Sequence, residues 1–104
     1  MQIQINYRDF DQSDALDAHI ESAIESHLGH MADKLTRVEV HLGDESSVSK
    51  HTPGDKRCLI EARPRGLDPL TAEDHADDIF NAVSGAAGKI KRVLTTRFEK
   101  LASS

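Results

Sequence analysis

The opening stretch Gln2-Ile3-Gln4-Ile5-Asn6-Tyr7 alternates polar and apolar side chains, with Ile3, Ile5 and Tyr7 on one side. A period of two describes a strand with one buried face. The period then changes. Leu16, Ile20, Ile24 and Leu28 recur every four residues with Ala23 and His27 beside them, which predicts an amphipathic helix over about 14–30. Ser13 is placed to cap it, Asp14 and Asp17 lie near its positive end, and Gly29 marks the start of its end.

Alternation returns in Thr36-Arg37-Val38-Glu39-Val40-His41-Leu42, a second strand with Val38, Val40 and Leu42 inward. Residues 43–55 are rich in Gly, Asp, Ser and Pro and carry no period, which predicts a long mobile loop. A third strand follows at Cys58–Arg63, then a turn at Pro64–Pro69 and a weaker fourth strand at Leu70–Asp74. Asp77 or Asp78 caps a long last helix, about 79–101. At about 100° per residue, Phe80, Val83, Ala87, Ile90, Leu94, Phe98 and Leu101 fall within about 80° of arc.

The predicted order is β-α-β-β-β-α, with no internal repeat. Two helices with one apolar stripe each, and a sheet with one apolar face, make a two-layer α+β fold. Both helices should cover the face of a four-stranded sheet lined by Ile3, Ile5, Val38, Val40, Cys58 and Ile60, leaving the other face open. The 104 residues suffice for a single domain, 1–104.

With 38% apolar and 30% charged residues the chain is globular, not disordered. No apolar run approaches the ~20 residues of a membrane helix. Met1-Gln2-Ile3-Gln4 has neither the basic nor the apolar region of a signal peptide. The one cysteine, Cys58, makes no internal disulfide and no cysteine zinc cage, so the expected compartment is a reducing cytoplasm.

Net charge is −5, yet its distribution is uneven. Residues 1–55 carry 4 basic and 11 acidic side chains, whereas residues 79–104 carry 5 basic and 1 acidic. Opposite the apolar arc of the last helix lie Gly85, Lys89, Arg92, Thr96 and Lys100, with Lys91 and Arg97 on the flanks. Long cations along one helical face are what phosphate neutralisation needs. The plainer reading is a solvated helix whose last turn favours cations through its macrodipole. A second basic cluster comprises Lys56, Arg57, Arg63 and Arg65, with Arg63-Pro64-Arg65-Gly66 at a strand exit where guanidinium groups can fork onto phosphates. Alone, it reads as an ordinary solvated sheet face. Aromatic platforms for stacking bases are missing from this pattern.

No nucleophile–base pairing, P-loop or dinucleotide fingerprint occurs, so no catalytic residue is assigned and no cofactor is expected. Six histidines raise a metal hypothesis, but no H-E-x-x-H spacing exists, and His27 on the apolar arc reads as structural. No metal ligand is assigned. Cys58, alternating with Ile60 and Ala62, reads as a small core residue.

The sequence resembles the ribosome hibernation factors, the family of the hibernation-promoting factor and of protein Y. The likeness is carried by Asp78-Ile79-Phe80-Asn81-Ala82-Val83 and by Lys89-Ile90-Lys91-Arg92-Val93-Leu94, supported by the Ala15-Leu16 helix start and the Val38–Leu42 strand. It covers nearly the whole chain, with the specific motif in residues 78–94. The resemblance implies a non-enzymatic translation inhibitor that binds small-subunit rRNA near the decoding channel in stressed or stationary cells. DNA and membranes are not expected partners. Lys89 and Arg92 match basic positions of the family, and Lys100 with them; Lys91, Arg97, Arg63 and Arg65 complete the expected rRNA-binding set. With its last residue at Ser104, the sequence is expected to be a short form, without the C-terminal dimerisation domain of long members.

The first helix departs from the family's basic pattern: its outer side offers Ala18, Glu21, Ser22, Glu25 and Ser26. That lowers the counterion-release contribution to RNA binding. It motivates a second reading, a protein-interaction or regulatory module of the same fold that no longer binds ribosomes.

Overall fold

A computed structural model describes residues 1–45 and 54–103. Its elements are β1 (Gln2–Tyr7), α1 (Asp14–Leu28), a 3-10 segment (Gly29–Lys34), β2 (Leu35–Asp44), β3 (Lys56–Pro64), β4 (Leu70–Ala76) and α2 (Ile79–Ala102). The order and the α+β class are those predicted. The sheet runs β1-β2-β3-β4. β1 pairs with β2 in parallel, which requires the crossover that α1 supplies; the other pairs are antiparallel hairpin neighbours.

Register places the apolar side chains on one face. Ile3 stands beside Val38, Ile5 beside Val40, Val40 opposite Ile60, and Ile60 opposite Ala72. Val38, Val40, Leu42, Cys58, Ile60 and Ala62 are buried beneath Leu16, Ile20, Ile24 and Leu28 of α1 and Val83, Ile90 and Leu94 of α2. Ile3, Ile5 and Tyr7 are half-buried, because β1 is an edge strand. Tyr7 donates its hydroxyl to Asp17, tying β1 to α1, and burial with this bond raises its pKa to about 12.

Several boundaries differ from the prediction. Gly29 keeps right-handed backbone (φ −57°), so it does not stop the chain. The 3-10 segment continues instead and buries Met31 before β2 starts at buried Leu35, two core residues that the helical period does not mark. β2 runs through Gly43 and Asp44, and β4 runs on to Ala76, since Asp74 and His75 keep the alternation against Cys58 and Arg57. Of the predicted 43–55 loop, residues 46–53 lie outside the described residues. Asp78 is the cap of α2, accepting from the amides of Phe80 and Asn81.

Two packing details determine how α2 presents its charged side chains. Gly85 lets α2 approach β4 closely, for a Cβ there would fall on the carboxylate of Asp74. At its other end α2 outruns the sheet: Leu101 belongs to the apolar arc yet is 43% exposed. The overhanging turns are steadied by the 3-10 segment, where Lys34 Nζ lies 5.0 Å from the centre of the Phe98 ring.

Leu94 is fully buried, so Leu94→Ala should cost about 2–5 kcal/mol in chemical denaturation, and a change near zero would misplace the core. Burial, with the Asp74 carboxylate adding to it, pushes the Cys58 thiol up to about 12. Cys58 should therefore resist alkylation at neutral pH in the folded protein and react once denaturant unfolds it.

Candidate nucleic-acid interface

Topology divides the charges between two ends. The end of the sheet where β1 and β2 finish and β3 begins also holds the N-termini of both helices. Asp9, Asp11, Asp14, Asp44, Glu45, Asp55, Asp77 and Asp78 gather there. At the opposite end β3 exits at Pro64, β4 begins, and α2 overhangs. Lys34, Arg65, Arg92, Arg97 and Lys100 collect at that end with Asp33, Asp68 and Glu99, whereas Arg8, Lys56 and Arg57 stand at the acidic end.

The second basic cluster behaves differently from the cations of α2. On the open sheet face Arg63 sits 3.0 Å from Glu39 and 2.9 Å from Glu61, while Arg57 sits 2.6 Å from Glu73. His75 and Arg57 both face Glu45 at the end of that face. Lys56 lies 3.0 Å from Asp44 and 3.2 Å from Asp55, and the Asp44 hydrogen bond foremost raises its pKa. Cross-strand pairing has thus neutralised most of this cluster. Arg65 differs: its Nε donates to the Asp33 carbonyl, and no carboxylate among the described residues pairs with it.

Along α2 the expected cations separate into three environments. Lys89 Nζ donates to Asp74 Oδ1 at 2.8 Å and to the Glu73 carbonyl at 3.2 Å. Arg92, Arg97 and Lys100, with Thr96, line an open groove of about 400 Å³ floored by Leu70 and Val93. Lys91 follows Ser84 by seven residues, and Ser84 meets His19 of α1, so Lys91 lies exposed on the α1 side. Among the described residues no carboxylate pairs with Lys91, Arg92, Arg97 or Lys100. The structure therefore brings three of the seven expected residues around one groove, adds Arg65 at the same end, and turns Lys89 and Arg63 toward carboxylates. Lys34, which no motif singled out, joins this pole because the 3-10 segment packs beside Phe98.

Two of the histidines make structural contacts. His19 Nε2 lies 3.0 Å from the Phe80 carbonyl and stacks edge-on against its ring, and His27 Nδ1 donates to the Ala23 carbonyl at 2.9 Å. Among the described residues no group of three His, Cys, Asp or Glu side chains is arranged to hold a metal ion. No helix there is long and apolar enough to cross a membrane.

A family model described as "Sigma 54 modulation protein / S30EA ribosomal protein" matches residues 3–102. Among solved structures, a ribosomal subunit interface protein from Coxiella burnetii superposes with a TM-score of 0.73 at 18% identity, covering 95% of this chain and 99% of that one. The Protein Y N-terminal domain of Thermus thermophilus gives 0.70 at 20% identity, covering 94% and 99%. These likenesses show a shared fold. No curated protein matches the chain significantly.

The sheet-face pairing has a pH signature. The hydrogen bond from Arg57 holds Glu73 below the usual carboxylate range. A lowered folded pKa contributes stability that is present above about 4.3, the unfolded value, and is lost as pH falls through the folded one. The melting temperature should drop as pH falls below about 4, and Glu73→Gln should flatten that acid limb.

Proposed function

Because the chain belongs to the Sigma 54 modulation protein / S30EA ribosomal protein family, we propose that it is a ribosome-associated factor that binds small-subunit rRNA near the decoding channel. The reading is non-enzymatic: occupancy of the channel used by mRNA and tRNA blocks translation and preserves idle ribosomes. The observation that carries it is the basic pole. Lys34, Arg65, Lys91, Arg92, Arg97 and Lys100 stand at or near one end of a molecule with net charge −5, outnumber Asp33, Asp68 and Glu99 there, and form no ion pair among the described residues. Screening limits each charge to about 8 Å at physiological salt, so a local pole governs contact with a polyanion more than the net sum does.

Contacts of this kind go to phosphate oxygens and read the shape of folded RNA, not its sequence. Arg92 and Lys100 are eight residues apart on the groove side of α2 and project toward solvent together. Lys89 and Arg63 stand at the margin of the proposed surface, since each is already engaged by carboxylates.

A second reading keeps the fold and replaces the ribosome with a protein partner. It is favoured by the outer side of α1, where Ala18, Glu21, Ser22, Glu25 and Ser26 are all exposed and none is basic. Co-sedimentation with small ribosomal subunits over a salt series separates the two. Ribosome binding predicts a linear fall of log affinity with log salt, and Arg92→Gln with Lys100→Gln should make that slope shallower by about 1–2 units. Melting temperature should barely move, as both side chains are exposed. A folded double mutant that binds with unchanged slope would remove the pole from the interface. A wild type that never sediments with the subunit would favour the protein-partner reading.

A further inference from the structure

We propose that Asp74 is an internal competitor for polyanions: its carboxylate engages Lys89 and withholds that cation from phosphate. The inference rests on the RNA-binding reading, and it names a residue that limits that binding without touching the ligand.

Asp74 occupies an unusual position. It lies on the helix-facing side of β4, where its strand neighbours Leu70, Ala72 and Ala76 and its cross-strand partner Cys58 are apolar or small. Its carboxylate fills the space left by the missing side chain of Gly85. Lys89, one turn further along α2, closes this niche with bonds to Asp74 Oδ1 and to the Glu73 carbonyl. An inward charge on an edge strand also discourages sheet-to-sheet aggregation, but that role requires neither the glycine nor the lysine. The three residues fit one another.

An exposed ion pair is weak as a stabilising contact, yet its effect on polyanion binding is larger. A cation contributes to RNA affinity by neutralising a phosphate and releasing the counterion condensed there. Lys89 beside Asp74 is a neutral pair. For its ammonium to reach a phosphate, Asp74 must be left beside Gly85 without its cation, or must take up another one from solution. In the first case the uncompensated carboxylate costs free energy that offsets the contact, and in the second the cation taken up cancels the counterion released. Arg92, less than a turn away, faces no such carboxylate.

The test uses the full chain and an oligouridine RNA as probe, with log affinity measured against log salt. Asp74→Asn keeps the shape of the side chain and removes its charge. It should steepen the slope by about 0.7 and tighten binding about fivefold at 0.1 M salt, the contribution of one added phosphate contact on a single strand. Asp74→Asn with Lys89→Gln should return to the wild-type slope. Asp14→Asn, the same change of net charge at the far end of the molecule, should leave the slope unchanged. Melting curves confirm that each variant is folded.

The proposal is overturned if Asp74→Asn binds oligouridine no better than wild type, whether or not either binds measurably. It is also overturned if Lys89→Gln in the wild-type background lowers the slope as much as Arg92→Gln. Failure of the ribosome reading looks different. There the wild type and Asp74→Asn both fail to sediment with small subunits, while the oligouridine series still shows the steeper slope for Asp74→Asn and its reversal by Lys89→Gln.

Discussion

Between Ala82 and Leu94, α2 lays Ala82, Val83, Ala86, Ala87, Ile90 and Leu94 on the sheet, and each is fully removed from solvent. The burial of the three larger side chains alone contributes about 1.5–3 kcal/mol apiece. The three alanines and Gly85 let the helix axis come down close to β3 and β4, so the contact is as much about small side chains as about large ones. This one packed strip sets the direction of α2. It fixes which residues of α2 remain outside, and it carries the helix past the end of the sheet, where Phe98 and Leu101 have less and less beneath them. Both the basic pole and the Asp74–Lys89 niche are consequences of that placement.

The strands and helices were legible because their periods are clean. Ile3-Ile5-Tyr7 and Val38-Val40-Leu42 alternate without a break, and the four-residue spacing of Leu16, Ile20, Ile24 and Leu28 leaves no alternative to a helix. What the periods do not contain is the position of neighbouring elements. Leu101 has the right angle for the core but no sheet under it. Met31 and Leu35 fall outside any period, and become core only because the 3-10 segment folds back beside α2. The same limit applies to the candidate interface. Angular position groups Lys89 with Arg92 and Lys100, and nothing along the helix distinguishes the first from the others. The distinction depends on β4, whose register turns Asp74 toward the helix. Arg63 is likewise neutralised by Glu39 across the β2–β3 pairing, a partner 24 positions earlier in the chain.

Charge segregation follows from connectivity as well as composition. Aspartates favour helix N-termini, and here both helix N-termini lie at the same end of the sheet. Asp14 and Asp17 in the first turn of α1 and the Asp78 cap of α2 therefore add to one acidic end. Across the middle, ion pairs between strands are each worth at most about 1 kcal/mol. Their main electrostatic effect is to cancel the field of the open sheet face, so that Arg63 and Arg57 add little to the pole beyond it. An acidic chain can in this way present a compact basic surface.

The macrodipole of α2 offers a competing reason for cations near its C-terminus, and the geometry limits how far that reason extends. The effect is about 0.3–1 kcal/mol per charge and fades within the last turn. Lys100 stands in that turn, as the structure's own cap at Ser103 shows. Arg97 is at its edge. Arg92 and Lys91 are nearly three turns from the end, where the dipole gives a cation no advantage. Nor do they cover the core: both are exposed, and no carboxylate among the described residues pairs with either. Helix stability thus accounts for Lys100 and leaves Arg92 unexplained, which supports the proposal that the groove Arg92 shares with Arg97 and Lys100 is a surface for an anionic partner.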